Sequence, residues 1–306
     1  MKTPPGKTTT AANRLRAFTL ALLILLAIKP HVIAAQVADT LSINKKRLRI
    51  VTIGAGAAYT GSLVGLSQLW YKNSERQSFR FFNDNAEWKQ VDKVGHFYSA
   101  FYLSSGTAGA LRWCNVPARR SDLAGALTGF LILLPIEIFD GFSADYGASA
   151  GDLLANGAGA AFFLGQQVWW KQPRVIPKMS FHRTGFAKLR PEVLGETVVS
   201  EFVKDYNGQT YWLSVDMDKF ITFPRWLNLA IGYGAHEMVY ARDGQNLSAG
   251  YNAYRQFYLS PDIDLSAIRT RSKLVRTLLR VAGAIKIPAP AIEFSRKQVA
   301  FHGLYF

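Results

Sequence analysis

Apolar and polar positions follow two rhythms along this chain, and the rhythm changes near residue 175. Before that point, long apolar stretches are separated by short polar clusters. Ile50 to Tyr71 carries no charge and closes on Trp70 and Tyr71, a length and an aromatic end that fit a membrane-crossing helix. Gly54, Ala58, Gly61 and Gly65 set small residues at helical spacing along it, as in helices that pack closely. Residues 72–91 read as a polar and aromatic loop, with a short interfacial piece around Phe79 to Trp88. Three more helices are predicted: Asp92 to Trp113, Ser121 to Asp140, and Ser149 or Ala150 to Trp170. Ser121-Asp122 supplies an N-cap for the second of these. Pro135 is expected to kink it, and Gly141 to Gly147 to form a turn.

Beyond about residue 175 the pattern becomes period two. The predicted strands are Lys178 to Arg183, Tyr211 to Met217, Leu227 to Tyr233, Gln256 to Leu265 and Val299 to Phe306. Arg271 to Ile287 interrupts them as a basic amphipathic helix. Leu274, Leu278 and Val281 line one side, Lys273, Arg276 and Arg280 the other, and Pro288 and Pro290 end it. The fold class expected is α+β: an N-terminal membrane-associated bundle of about four helices, then a small antiparallel β region carrying the amphipathic helix. The terminal Leu304-Tyr305-Phe306 has the aromatic close of outer-membrane barrels, but five or six strands fall short of the eight such a barrel needs. The reading is therefore a small sheet beside the helices.

Charge adds a partner. The chain has 306 residues and a net charge of +15, from 36 basic and 21 acidic residues. No nucleic-acid signature accompanies this excess, so the expected partner is the lipid bilayer and not nucleic acid. Lys2, Lys7, Arg14 and Arg16 precede the apolar run Ala17 to Ile28, and Val32-Ile33-Ala34 follows with small residues; together they read as a secretory signal. Cys114 is the sole cysteine, which leaves no disulfide framework and no cysteine near the cleavage region for a lipid anchor. The organisation expected is a signal at 1–35, a polar spacer at 36–49, a helical membrane-associated domain at 50–172 and a basic β-rich region at 173–306. The location is the bacterial cell envelope, membrane-associated after export, at the outer membrane or facing the periplasm, with the inner membrane still open. Basic flanks put the start of the first helix in the cytosol, whereas a cleaved signal puts it outside. An outer-membrane or surface-lying protein removes that conflict.

Polar residues concentrate where the helices end. Asp92 and His96 are i and i+4 at the start of one helix, Glu137 and Asp140 are i and i+3 near the end of the next, and Asp152 and Asn156 are i and i+4 at the start of the last. Antiparallel packing brings all six to one end of the bundle, with Gly106, Gly109, Gly125, Gly129, Gly157 and Gly159 allowing close approach. Three roles fit. The six can be a structural network of mutually satisfied groups. They can be a metal site, with His96 and two or more of Asp92, Glu137, Asp140 and Asp152 as ligands. They can be an acid–base site with catalytic candidates His96, Asp92 and Glu137, where His96 is the base and Asp92 orients it.

These residues also carry a resemblance. Trp88, Asp92-Lys93 with His96-Phe97, Glu137 with Asp140, and Gly151-Asp152 with Asn156 and Gly159 resemble the YfiM-like family of predicted periplasmic lipoproteins of unknown function. The same order is more distantly similar to VanZ-like membrane proteins. The resemblance implies membrane-embedded helices and a cell-envelope setting, and it implies no reaction or cofactor. The function expected is an uncharacterised envelope membrane protein whose polar cluster serves structure or small-ligand binding. The rival is a membrane enzyme, hydrolase-like or metal-dependent, acting on a lipid or cell-wall precursor.

Overall fold

The computed structural model describes residues 42–71, 74–296 and 298–306. The expected signal segment and residues 36–41 of the polar spacer lie outside them. Helix α1 (Lys45–Trp70) starts at Asn44, whose side chain accepts the Arg47 amide at 3.0 Å. It therefore takes in the basic run assigned to the spacer. Its first turn is pinned to the far end of the bundle, where the Arg47 guanidinium donates to the Trp113 carbonyl at 3.0 Å. Along its length α1 buries no residue. The packed unit is thus three helical rods with α1 alongside, where a four-helix bundle was expected.

Those rods are α2 (Val91–Trp113), the broken pair α3 (Ala118–Leu131) and α4 (Leu134–Gly141), and α5 (Ala150–Trp170). Helix α3 starts three residues earlier than Ser121. Pro117 precedes its first turn, and Ser121 is buried inside it, donating to the Val116 carbonyl. The break falls where Pro135 predicts it, because proline fits the first turn of a new helix. Phe101, Ala108, Ala126, Ala160 and Phe163 form the core between the rods. A Cβ at Gly129 would meet the Ala100 carbonyl, and one at Gly159 the Phe97 carbonyl, so α2 lies almost backbone to backbone on both neighbours. Gly106 and Gly109 face open space and take no part in this packing. Both α1 and residues 118–141 are long and apolar enough to cross a membrane. The second stretch is broken and turns Gly125, Gly129 and Glu137 inward, so it acts as a core rod.

The C-terminal region is a six-stranded antiparallel meander in sequence order: β1 (Val175–Phe181), β2 (Gln209–Val215), β3 (Leu227–His236), β4 (Tyr254–Ile263), β5 (Ala289–Ser295) and β6 (Gln298–Tyr305). Three short helices lie in its loops: α6 (Pro191–Leu194), α7 (Val198–Lys204) and α8 (Asp243–Ser248). The amphipathic helix α9 spans Lys273–Ala282. Strand β5 was not among the predicted strands, since Pro288 and Pro290 read only as helix stops. The chain tolerates Pro290 because the β5–β6 register shifts between Ala289 and Ala291, and proline within sheets belongs at such irregularities.

The sheet curls around its polar face. Neighbouring strands lie about 4.8 Å apart, so β1 and β4 in a flat sheet would be roughly 14 Å apart. Yet Lys178 Nζ on β1 meets Asp262 Oδ2 on β4 at 2.6 Å, both fully buried. Thr210 on β2 likewise touches the Tyr305 hydroxyl on β6 at 2.9 Å. Ser214, Asn228 and Ser260 fill the space between. The edge of β1 is covered by the segment after α9, through Met179 N to the Ala284 carbonyl at 3.0 Å and Lys286 N to the Met179 carbonyl at 2.8 Å. Helix α2 seats its first turns on the other face, where Val91 joins Met179, Tyr211, Ala235 and Met238.

Candidate functional site

The chain enters α2 through a turn held in left-handed backbone, with φ of 45° at Trp88, 51° at Lys89 and 64° at Gln90. Non-glycine residues seldom adopt that region unless surrounding structure enforces it. Here the Lys89 ammonium reaches Asp243 at 2.6 Å, and the Trp88 amide donates to the Ala241 carbonyl at 2.8 Å. The turn fixes the direction of α2, and with it Asp92, Lys93 and His96. At the same end, Ser149 caps α5 by accepting the Asp152 amide at 3.1 Å. Its own amide donates to Glu137 Oε2 at 3.0 Å, and its hydroxyl donates to Asp84 at 2.6 Å. One capping serine thus ties α4, α5 and the loop before α2 together.

All six residues expected at this end are there, in three groups. The first surrounds Lys93, whose ammonium lies 2.8 Å from Asp84, 3.0 Å from Asp92 and 2.9 Å from Asp152. The protein's own cation sits among these carboxylates, where an ion would otherwise go. Burial pushes the Asp92 carboxyl up to about 6 against the pull of Lys93. Burial also works against the Lys93 ammonium, but its carboxylate neighbours carry it above the usual lysine value. The second group is Asp140, which accepts the Tyr71 hydroxyl at 2.7 Å and so ties the end of α1 to α4. Burial raises its carboxyl to about 6.

The third group is incomplete. His96 Nδ1 lies 3.0 Å from Asn156 Oδ1. An amide oxygen only accepts, so with Nδ1 as the donor to it the neutral ring turns its Nε2 lone pair away from Asn156. Asn156, not Asp92, is the partner that orients the ring. Nε2 faces Glu137 Oε1 across 3.9 Å, too far for a hydrogen bond. Glu137 is 3% exposed, and among the described residues Oε1 has no hydrogen-bond partner. Burial lifts its carboxyl to about 8, against the Ser149 amide that favours the charge. Glu137 Oε1 and the His96 ring therefore face each other across a gap, and His96, Glu137 and Asp152 each place a possible ligand atom within 4.8 Å of the others.

Asp84 and Lys93 complete the arrangement and were not among the expected site residues. Lys93 was legible only as the second residue of the Asp92-Lys93 pair. Asp84 lies in a loop with no periodic pattern to place it.

Residues 80–165 match the model of the family described as "Predicted periplasmic lipoprotein (DUF2279)". The match takes in every member of the Lys93 and His96 groups and leaves α1 and the sheet outside. It agrees with the resemblance read from the motifs and with a cell-envelope location, membrane-associated and facing the periplasm. No curated protein and no solved structure matches the chain.

Proposed function

We propose that this envelope protein, anchored by α1, binds a small ligand at the bundle end, and that the ligand is a divalent metal ion held by His96 Nε2 and Glu137 Oε1. Asp152 is the third donor in reach. The observation that carries this reading is the unpartnered Glu137 oxygen, buried and 3.9 Å from a ring nitrogen, beyond hydrogen-bond range. A buried polar atom without a partner costs about 1–3 kcal/mol; Asp92 Oδ1 and Asn156 Nδ2 beside it share that condition, while Lys93, Ser149 and Tyr71 satisfy other carboxylate oxygens of the cluster. Donors 3.9 Å apart can share an ion at about 2.1 Å from each, the usual distance for zinc with imidazole and carboxylate. Asn156 then does for His96 what outer partners do for metal-binding histidines: it fixes the tautomer and the ring plane. The mixed imidazole and carboxylate set favours zinc or manganese over calcium. The Lys93 group serves structure, since its cation is built in.

Calorimetric titration of the purified full chain in detergent with Zn²⁺ and Mn²⁺ tests this. The wild type is expected to bind one ion, and Glu137→Gln and His96→Gln to weaken binding at least tenfold with folding intact. A wild type that binds no ion, or variants that bind as the wild type does, would refute it.

A second reading has one observation in its favour. A carboxyl lifted to about 8 is protonated at neutral pH and beside an imidazole makes a proton-transfer pair, as a membrane enzyme acting on a lipid or cell-wall precursor would need. Turnover that persists after chelation of all metal would favour it over the metal reading.

A further inference from the structure

The curled sheet has its polarity reversed relative to a water-soluble protein. Its buried face carries Lys178, Thr210, Ser214, Asn228 and Asp262, each at most 2% exposed, beside an apolar cluster of Trp212, Ala230, Tyr258 and Ala291. Its outward face carries Leu229, Ile231, Phe257, Leu259, Phe294 and Phe301, and Ile231 and Phe301 are 57% and 73% exposed. The registers put these residues side by side: Ile231 faces Leu259, Phe257 faces Phe294, and Ile292 faces Phe301. Helix α2 covers only the part of this face near β1, β2 and the Tyr233–Ala235 end of β3. Between them lies an apolar groove of about 330 Å³, lined by Val94, Phe97, Tyr98, Leu213, Ile231 and Phe257, so the groove opens directly onto the uncovered apolar surface. Soluble proteins rarely leave such a contiguous patch to water. Apolar-out and polar-in alternation is the pattern of strands that face hydrocarbon.

Helix α9 identifies the occupant. Leu274, Leu278 and Val281 on its apolar side are 69%, 57% and 66% exposed, and the helix buries none of its residues. Its other side carries Lys273, Arg276 and Arg280, with Arg269 and Arg271 just before it. A cationic amphipathic helix of this kind lies in the headgroup layer of an anionic membrane. The Met179 amide, donating to the Ala284 carbonyl, and the Lys286 amide, donating to the Met179 carbonyl, fasten its end to the edge of the sheet.

We infer that the C-terminal region is seated in one leaflet of an anionic bilayer, with the outward face of β3–β6 in contact with acyl chains and α9 in the headgroup zone. Seating in one leaflet fits better than spanning. Among the described residues the outer edge of β6 has no strand partner, and an open edge cannot be satisfied inside hydrocarbon.

The test uses the full chain reconstituted into phosphatidylethanolamine–phosphatidylglycerol vesicles. An environment-sensitive fluorophore is placed on Ile231→Cys, Leu259→Cys, Phe301→Cys or Leu278→Cys. The sole native cysteine, Cys114, is fully buried. Gly244→Cys, where an added side chain meets nothing within 4 Å, serves as the aqueous control. Labels at 231, 259 and 301 are expected to be quenched at least threefold more by nitroxides on lipid chains than the label at 244, and to be shielded from iodide. The label at 278 is expected to lose its shielding from iodide when phosphatidylglycerol is omitted or when Arg276→Glu and Arg280→Glu are introduced. Three outward positions keep the test alive if one variant fails to fold. Labels at 231, 259 and 301 reached by iodide as readily as 244 would overturn the inference. So would protection from both quenchers, which would mean that a second copy or another protein covers the face. A 278 label indifferent to lipid charge would overturn the role of α9.

Discussion

Two buried carboxylates, Asp262 inside the sheet and Glu137 at the end of the bundle, each hold one oxygen 3.9 Å from a side-chain nitrogen, with opposite outcomes. Asp262 Oδ2 meets Lys178 at 2.6 Å and Ser214 at 2.6 Å, while Oδ1 lies 3.9 Å from the Lys286 ammonium. Glu137 Oε2 is held by the Ser149 amide, while Oε1 lies 3.9 Å from His96 Nε2. In the sheet the facing nitrogens are ammonium groups, so the protein supplies the charge that the acid needs. In the bundle the facing nitrogen belongs to an imidazole out of hydrogen-bond range, and with Nδ1 the donor to Asn156 a neutral ring offers a lone pair, so the charge then comes from a proton or from outside. A buried acid beside its own cation is architecture; a buried acid facing an acceptor is a place for something else. The Lys93 group, a few residues away, behaves like the sheet and shows that the bundle end is not uniformly one or the other.

Substitutions can break this contrast, and Lys93→Met should do most. It leaves Asp84, Asp92 and Asp152 facing one another without their cation, at a cost of about 3–5 kcal/mol, read as a lower midpoint in chemical unfolding. A loss below about 1 kcal/mol would mean the acids relax into water and do not form a closed group. Lys178→Met follows at about 3 kcal/mol, since Asp262 keeps Ser214 and Lys286; a neutral result would show that the sheet interior is hydrated.

Glu137→Gln should act in the other direction. Its folded-state carboxyl is lifted from 4.5 to about 8, so the metal-free folded chain keeps a proton that the unfolded chain releases. Wild-type stability therefore falls as pH rises from about 4.5 to 8, and the glutamine variant escapes that loss. Melting curves across this window should diverge in the variant's favour by on the order of 2 kcal/mol; a gap independent of pH would mean Glu137 is already ionised through a partner. The smallest effect is expected from His96→Gln, about 1 kcal/mol or less in metal-free stability, because only the contact with Asn156 is lost. A cost as large as that of Lys93→Met would make His96 a structural residue.

Much of this arrangement could be read from residue order, for identifiable reasons. Long uncharged stretches delimit helices, Pro135 marks the break between α3 and α4, and i, i+4 spacing puts Asp92 with His96 and Asp152 with Asn156 at helix starts. Partner choice could not be read that way. Asp92 and His96 share a face, yet one turns to Lys93 and the other to Asn156, because Asp84 arrives from a loop without periodicity. Strand β5 was hidden by Pro290, whose place at a register shift depends on β6. Alternation also does not say which face turns inward, since a period of two is symmetric. Only the contacts of Lys178 and Thr210 across the curl reveal that the polar side of the sheet is the inside.

The central claim, that the gap between His96 and Glu137 takes an ion while the Lys93 group does not, is tested most directly by anomalous diffraction from crystals of the full chain soaked in zinc. The account predicts one strong peak about 2.1 Å from both His96 Nε2 and Glu137 Oε1, with Lys93 still among its three carboxylates. A peak among Asp84, Asp92 and Asp152 with Lys93 displaced, or no peak at the gap under saturating zinc, would contradict it.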